Sequence, residues 1–257
     1  MSYLYPSLRT TLPVAGYYAR LDAGAAATDQ FTTDGANDGT LANGATRSGS
    51  PLAYSLDGVN DYITCGDVGD FTTGQMTLSV WIKRANSSTT EQVVLSKFGR
   101  SAGTVTEDGW GLRFNSNKIQ VFLVKDASTH IWESTSTYSD VASWHHLAVV
   151  LTSGSGTISV YYDGASIAGS WTLLTGVVTL DNTTYPLRCG NYTYSGTDYG
   201  PFAGLIDDVL LYLTGLDATN IGYLASQRGA IYAEASGDFE SGMFGGISGA
   251  MTGGMAS

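Results

Sequence analysis

The sequence predicts an all-β fold: two antiparallel sheets stacked as a sandwich, with one short helix near the C-terminal end. Three observations carry this. Short apolar segments with period-two alternation recur at close, even spacing through the middle of the chain. Gly, Asn, Asp and Ser cluster between them, as tight turns require. Only one segment, after Leu216, has helical spacing instead. At 257 residues the chain is long enough for one large β-domain, and a domain of this size buries roughly 75% of its unfolded surface without covalent staples.

The elements follow in order. Residues 1–13 form an arm with Tyr3, Tyr5, Pro6 and Pro13, too short for a domain. Residues 14–49 are rich in Gly, Ala, Asp and Asn, including DGANDGTLANGA (34–45), with turn chemistry throughout. LDGVNDYI (56–63) and FAGLIDDVLLY (202–212) each set a Gly beside acidic residues and an apolar stretch, about 140 residues apart, and suggest the opening and closing strands of the sandwich. Between them, TLSVWIK (77–83) alternates Leu78, Val80 and Ile82 with Thr77, Ser79, Trp81 and Lys83. KIQVFLVKD (118–126) sets Ile119, Val121 and Leu123 on one face. HHLAVVLT and TISVYYDG flank residues 153–156 as a hairpin, and Leu147 to Leu151 is apolar on both faces, which places it centrally in a sheet. GVVTL (176–180) and YPLRCG (185–190) continue the series. Asp217 then caps the helix, Ile221, Leu224 and Ala225 share its buried face, and Arg228-Gly229 closes it. The sandwich thus spans 14–235, and residues 236–257 form a tail with seven glycines and three methionines.

Composition narrows the function classes. The net charge is −11 and the 12 basic residues are scattered, whereas a phosphate-binding face needs clustered Lys and Arg, so nucleic acid is not an expected partner. No apolar run approaches the ~20 residues of a membrane span. Residues 1–18 lack a cationic start followed by an apolar core, so no secretory signal is expected there. Cys65 and Cys189 give neither a disulfide framework nor a zinc signature and are expected to be free, buried thiols, with pairing across the sandwich as the alternative.

The ordered series LANGA (41–45), LDGVNDYITCGD, TLSVWIKR, WHHLAVVL, ISVYYDG, PLRCGN and FAGLIDDVLLY resembles the laminin-G-like domains of the concanavalin A-like lectin/glucanase superfamily, as found in bacterial surface and tailed-phage proteins. The resemblance covers about residues 14–226. It implies a jelly-roll sandwich with one concave and one convex sheet and functional loops along a rim. That superfamily spans enzymes, lectins, adhesion modules and virion parts, so the fold does not decide the function.

Glucanases of the superfamily carry a Glu-x-Asp-x-x-Glu pattern on one strand, which sets nucleophile and acid ~5–5.5 Å apart. The glutamates among the strands, Glu91, Glu107 and Glu133, do not begin that pattern. Asp207 and Asp208 are adjacent and as strand residues point to opposite faces. Trp144-His145-His146 has adjacent histidines that diverge likewise, with no nucleophile signature beside them, and His130 adds nothing further. No enzyme is expected. Asp57, Asp61 and Asp207 are candidates for one structural calcium, which takes ~6–8 oxygen ligands; related domains often bind calcium near a rim. The calcium would join Asp57 to Asp61 or Asp207; the preferred reading is that Asp57 and Asp207 accept backbone N–H bonds at turns, which needs no metal.

A sugar site needs aromatic faces and polar neighbours. NYTYSGTDYG (191–200) offers Tyr192, Tyr194, Asp198 and Tyr199, with Trp110 and Trp132 as further candidates. Tyr3, Tyr5, Phe239, Met243, Phe244, Ile247 and Met251 are candidate docking groups in the arm and tail, since Met adapts to irregular apolar surfaces. The expected function is a surface-exposed structural protein of a phage virion: a capsid decoration, head-fibre or tail component. It would be made in the host cytoplasm, docked on capsid or tail proteins in a symmetric homo-oligomeric array, and able to bind glycans. The alternative is an extracellular glycan-binding module of a bacterial surface or secreted protein.

Overall fold

The computed structural model describes residues 17–20, 28–29, 39–48, 53–71, 74–99, 108–125, 128–173 and 183–228. The docking residues proposed in the arm and tail, and the 176–180 segment, lie outside these described residues. The first strands are β1 (Tyr17–Arg20), β2 (Thr28–Asp29), β3 (Thr40–Ala42), β4 (Thr46–Ser48), β5 (Ala53–Asp57) and β6 (Tyr62–Thr64). The long central strands are β7 (Gln75–Arg84), β8 (Gln92–Gly99), β9 (Asp108–Asn115), β10 (Lys118–Lys125), β11 (Ser128–Ser134) and β12 (His145–Thr152). After them come β13 (Thr157–Tyr162), β14 (Ala165–Ser166), β15 (Gly169–Leu173), β16 (Arg188–Cys189), β17 (Tyr192–Tyr194), β18 (Thr197–Tyr199) and β19 (Ala203–Tyr212). Helix α1 (Ala218–Ala225) follows.

Two large antiparallel sheets result. One runs β14-β13-β12-β7-β19-β1-β2, with β5 also pairing β19 and carrying β4; the other runs β15-β11-β10-β9-β8-β16-β6-β3. The two acidic phrases do neighbour each other: Ala203 lies opposite Asp57 and Gly204 opposite Leu56. Strand β12, apolar on both faces, lies in the sheet interior between β13 and β7.

Alternation explains the core. Leu78, Val80, Ile82, Leu147, Val149 and Leu151 of the first sheet meet Leu95, Leu112, Phe114, Ile119, Val121 and Leu123 of the second in one continuous cluster. Complete burial of such a side chain contributes roughly 1.5–3 kcal/mol. The outer face of the first sheet is covered by α1, whose Ile221 and Leu224 pack with Ala148, Tyr161, Leu210 and Tyr212. Asp217 caps the helix as expected, accepting the Asn220 N–H at 2.8 Å. The helix ends at Ala225 with Ser226 as its C-cap, three residues before Gly229.

One buried cation ties loops to this frame. Lys97 on β8 is 1% exposed. Its Nζ donates to Asp67 Oδ1 and, at 2.9 Å, to the Tyr185 carbonyl, with Asp70 Oδ1 3.3 Å away. An ammonium has three donors, and these three oxygens match them. Cys65 and Cys189 are free, buried thiols, as expected. The hydrogen bond between them, then burial, pushes the Cys189 thiol up.

Candidate functional site

Residues 191–200, read from sequence as a loop, form the two-stranded hairpin β17-β18, with Tyr192 opposite Tyr199 and Tyr194 opposite Thr197. Ser195 and Gly196 both take positive φ, 50° and 79°. That is the two-residue turn whose twist suits a hairpin, and the Gly accepts it without strain. The hairpin lies on the outer face of the second sheet against β8. Tyr192 packs edge-on to Phe98 (5.4 Å between centroids) and Phe122 (6.0 Å), and these two meet at 5.8 Å. Such edge-to-face pairs each add about 0.5–1.5 kcal/mol beyond area burial. Gly111 makes room: a Cβ there would stand 2.1 Å from the Phe122 ring.

Above this apolar foot the hairpin turns polar and open. Tyr199 stacks on Tyr192 at 5.7 Å and 19°, and Tyr194 meets Tyr199 edge-on at 6.1 Å. Tyr199 is 43% exposed. Burial, with the negative charge of Glu91 nearby, pushes the Tyr192 hydroxyl up to about 12, so it stays protonated at neutral pH. Asp198 is held by Arg188 (2.8 Å) and by the Thr193 hydroxyl (2.7 Å), while Arg188 lies over the Tyr62 ring. Four of the six expected sugar-contact residues thus come together in one hairpin.

A cleft of about 410 Å³ adjoins Tyr199 through Gly200. It is lined by Asn86, Ser88, Thr90 and Glu91 from the β7–β8 connection, and by Gly200 and Pro201. Gly200 has φ +62°, and a Cβ there would meet Val93 at 2.5 Å and Glu91 Oε1 at 2.8 Å. The Gly therefore lets the end of the hairpin close against β8, where its carbonyl accepts the Val93 N–H at 2.8 Å. Behind Glu91 runs a polar ladder across the outer sheet face. Arg113 bonds Glu91 (2.6 Å) and Gln120 (2.8 Å), and Glu133 accepts from Gln120 and Lys118 (both 2.7 Å). The Lys118 bond, with help from Gln120, holds the Glu133 carboxyl below its ordinary range. The cleft residues were missed in the sequence; the run Asn86-Ser87-Ser88-Thr89-Thr90 between two strands was the available signal.

Other expectations are corrected. Trp110 (2% exposed) and Trp132 (5%) face the sandwich core, so neither offers a face to a sugar. The three acids proposed for calcium do not converge. Asp57 Oδ1 accepts the Val59 N–H (2.8 Å) across its turn, and Asp61, buried, accepts the Asp57 N–H (3.0 Å). Asp207 lies four residues along β19 from the partner of Asp57, roughly 13 Å away at strand spacing. It pairs instead with Arg228 (3.1 Å). Among the described residues no cluster of three His, Cys, Asp or Glu is placed to hold a metal.

Strict alternation also fails at Asp207-Asp208. A register shift interrupts the β19–β7 ladder there, Asp208 has φ +46°, and both acids are buried. Burial first, then the Asp208 charge, raises the Asp207 carboxyl above the usual carboxylate range, against the pull of Arg228. The adjacent histidines do diverge. His145 bridges Asp163 (2.8 Å) and Asp140 (3.2 Å), whereas His146 is buried against the Ser79 hydroxyl at 2.8 Å. His130 is buried in β11.

Residues 57–222 match the family model of the concanavalin A-like lectin/glucanases superfamily, well over half of the chain. The chain belongs to that superfamily. No curated protein matches the sequence. Among solved structures, domain 4 of AbnA, a GH43 extracellular arabinanase from Geobacillus stearothermophilus solved with arabinotriose, is similar at 19% identity and a TM-score of 0.56. That match covers 77% of this chain and 92% of the other. The botulinum neurotoxin serotype G binding domain is similar at 14% identity and TM-score 0.58, covering 83% of this chain and 51% of that one. The serotype D receptor-binding domain gives 14%, 0.56, 82% and 52%. The chain thus spans about half the length of the neurotoxin binding domains it matches. At these identities the likeness shows the fold: a jelly-roll sandwich of the lectin-like kind. Among the described residues no helix is long and apolar enough to cross a membrane.

Proposed function

We propose that this chain is a non-enzymatic, surface-exposed glycan-binding protein whose sugar contacts lie on the β17-β18 hairpin and the adjoining cleft. The observation that carries the reading is the half-open ring of Tyr199, stacked on the anchored Tyr192, one residue along the chain from Gly200 in the wall of a polar cleft. A rigid aromatic face beside hydroxyl, amide and carboxylate groups suits a sugar, which has an apolar C–H face and a polar edge. The fold-level likeness to a domain solved with arabinotriose supports the choice of ligand class. In the proposed setting the sandwich projects from a virion surface, with the arm and tail docked on capsid or tail proteins. Deleting residues 236–257 should then abolish incorporation into particles while the domain stays folded, and normal incorporation would remove that setting.

Calorimetric titration with arabinotriose and a panel of other oligosaccharides tests the binding itself. Wild type should bind at least one member, and Tyr199→Ala should weaken it about tenfold or more at unchanged melting temperature. Incubation with the bound sugar should release no new reducing ends. Absence of binding across the panel, or full binding by the Tyr199 variant, would overturn the proposal.

A further inference from the structure

The β7–β8 connection is organised by its own side chains. Asn86 Oδ1 accepts from the Ser88 N–H (3.1 Å) and from Nε2 of the buried Gln92 (2.9 Å). Both bonds fall on the oxygen, so the amide orientation is fixed, and the Nδ2 of the exposed Asn86 has no partner among the described residues. Beside it the Ser88 and Thr90 hydroxyls pair at 2.6 Å, and Ser88 Oγ also accepts the Thr90 N–H at 3.0 Å. The cleft therefore presents amide and hydroxyl groups already in place, with Gly200, the chain neighbour of Tyr199, in its wall.

Glu91, ion-paired with Arg113 at 2.6 Å, is an acid in the lining, and no base appears among the described lining residues. The guanidiniums of the neighbouring strands are committed: Arg84 to Asn117 and the Tyr138 carbonyl, Arg113 to Glu91 and Gln120, and Arg188 to Asp198. An anionic sugar would find no uncommitted cation among the described lining residues to offset its charge, inside a protein of net charge −11. We infer that the cleft selects neutral sugars over uronic- or sialic-acid sugars, and that Asn86 is the specificity-determining residue, donating through Nδ2 to sugar hydroxyls. This inference rests on the glycan-binding reading above.

The test uses the full chain on a microarray of neutral pentose and hexose oligosaccharides printed beside uronic- and sialic-acid-terminated ones, with affinities of the hits measured in solution. Two variants probe Asn86. Asn86→Asp keeps the oxygen that organises the loop and replaces the donors with a second acceptor; Asn86→Ser shortens the side chain without adding charge. Binding should be confined to the neutral set, and both variants should lose about tenfold or more, the scale of one hydrogen bond to a buried or preorganised group. Thermal melting of Asn86→Asp should match wild type, whereas Asn86→Ser also loses the acceptor of Ser88 and the buried Gln92, so its affinity is read well below its lower melting temperature. Preferential binding of acidic glycans, or undiminished affinity in both Asn86 variants while Tyr199→Ala still loses binding, would overturn this inference and leave the glycan-binding reading standing. Binding of no glycan in either set would remove both.

Discussion

Lys97 allows a sharp test of the fold's electrostatics, because its cost of removal should be smaller than the cost of removing its partners. Its side chain is 2% exposed, but those of Asp67 and Asp70 are 48% and 25% exposed. In Lys97→Met the apolar stem is replaced in kind, and the freed carboxylates rehydrate where they stand. The loss is that of a charge-assisted hydrogen bond, about 1.5–3 kcal/mol. In the double variant Asp67→Asn with Asp70→Asn the ammonium stays buried and loses its countercharge, which is the expensive direction, typically ~3–5 kcal/mol. Its escape is to shed a proton. For an ordinary lysine titrating near 10.4 that escape costs about 4.6 kcal/mol at pH 7 and about 1.9 kcal/mol at pH 9. Urea denaturation of both variants against wild type, at pH 7 and pH 9, reads the difference. The double variant should be the less stable at pH 7 and recover most of the gap at pH 9, while the Met variant's deficit stays constant. Equal losses that do not change with pH would refute the reasoning.

Three further outcomes follow from the packing. Trp132→Ala should cost about 3–5 kcal/mol because the ring fills the core, yet the fraction that remains folded should bind sugar as wild type does, read by titration below the urea midpoint. Asp207→Asn should flatten a pH slope. With its carboxyl raised, folded Asp207 holds a proton that the unfolded chain releases, so this site lowers stability as pH rises from about 4 toward about 8. The variant's urea midpoint should therefore rise relative to that of wild type as pH goes up through that range. Cys65 and Cys189, both buried, should resist a thiol reagent until denaturant unfolds the chain; reaction at the native rate of an exposed thiol would contradict the packing.

Much of the frame was legible because burial writes itself into period two. Ile119, Val121 and Leu123 declare the core face of β10, and the doubly apolar Leu147 to Leu151 declares a strand covered on one side by the core and on the other by α1. The same rule applied to Trp110, Leu112 and Phe114 points that tryptophan inward, so its burial was readable. Trp132, flanked by Ile131 and Glu133, carried a weaker signal. Other features arise only in three dimensions. Nothing local marks the register shift after Asp207, which depends on the partner strand, and the orientation of Asn86 is set by Gln92 six residues away. The tyrosine cluster was legible as a group. Its division into an anchored Tyr192 and an open Tyr199 was not, because it depends on Phe98 and Phe122 from distant strands.

The small hairpin has a consequence for how such a protein can diversify. β17-β18 belongs to neither large sheet. It is fastened by an aromatic foot on one side and the Arg188–Asp198 bond on the other, and a Cβ at Gly196 in its tip would meet none of the described residues within 4 Å. A unit attached in this way can lengthen, shorten or change its outward residues while the sandwich beneath keeps its sequence and stability. If the hairpin binds sugar as proposed, it is the part of the surface freest to change, and related chains with other ligands are expected to differ first at its tip, residues 194–197.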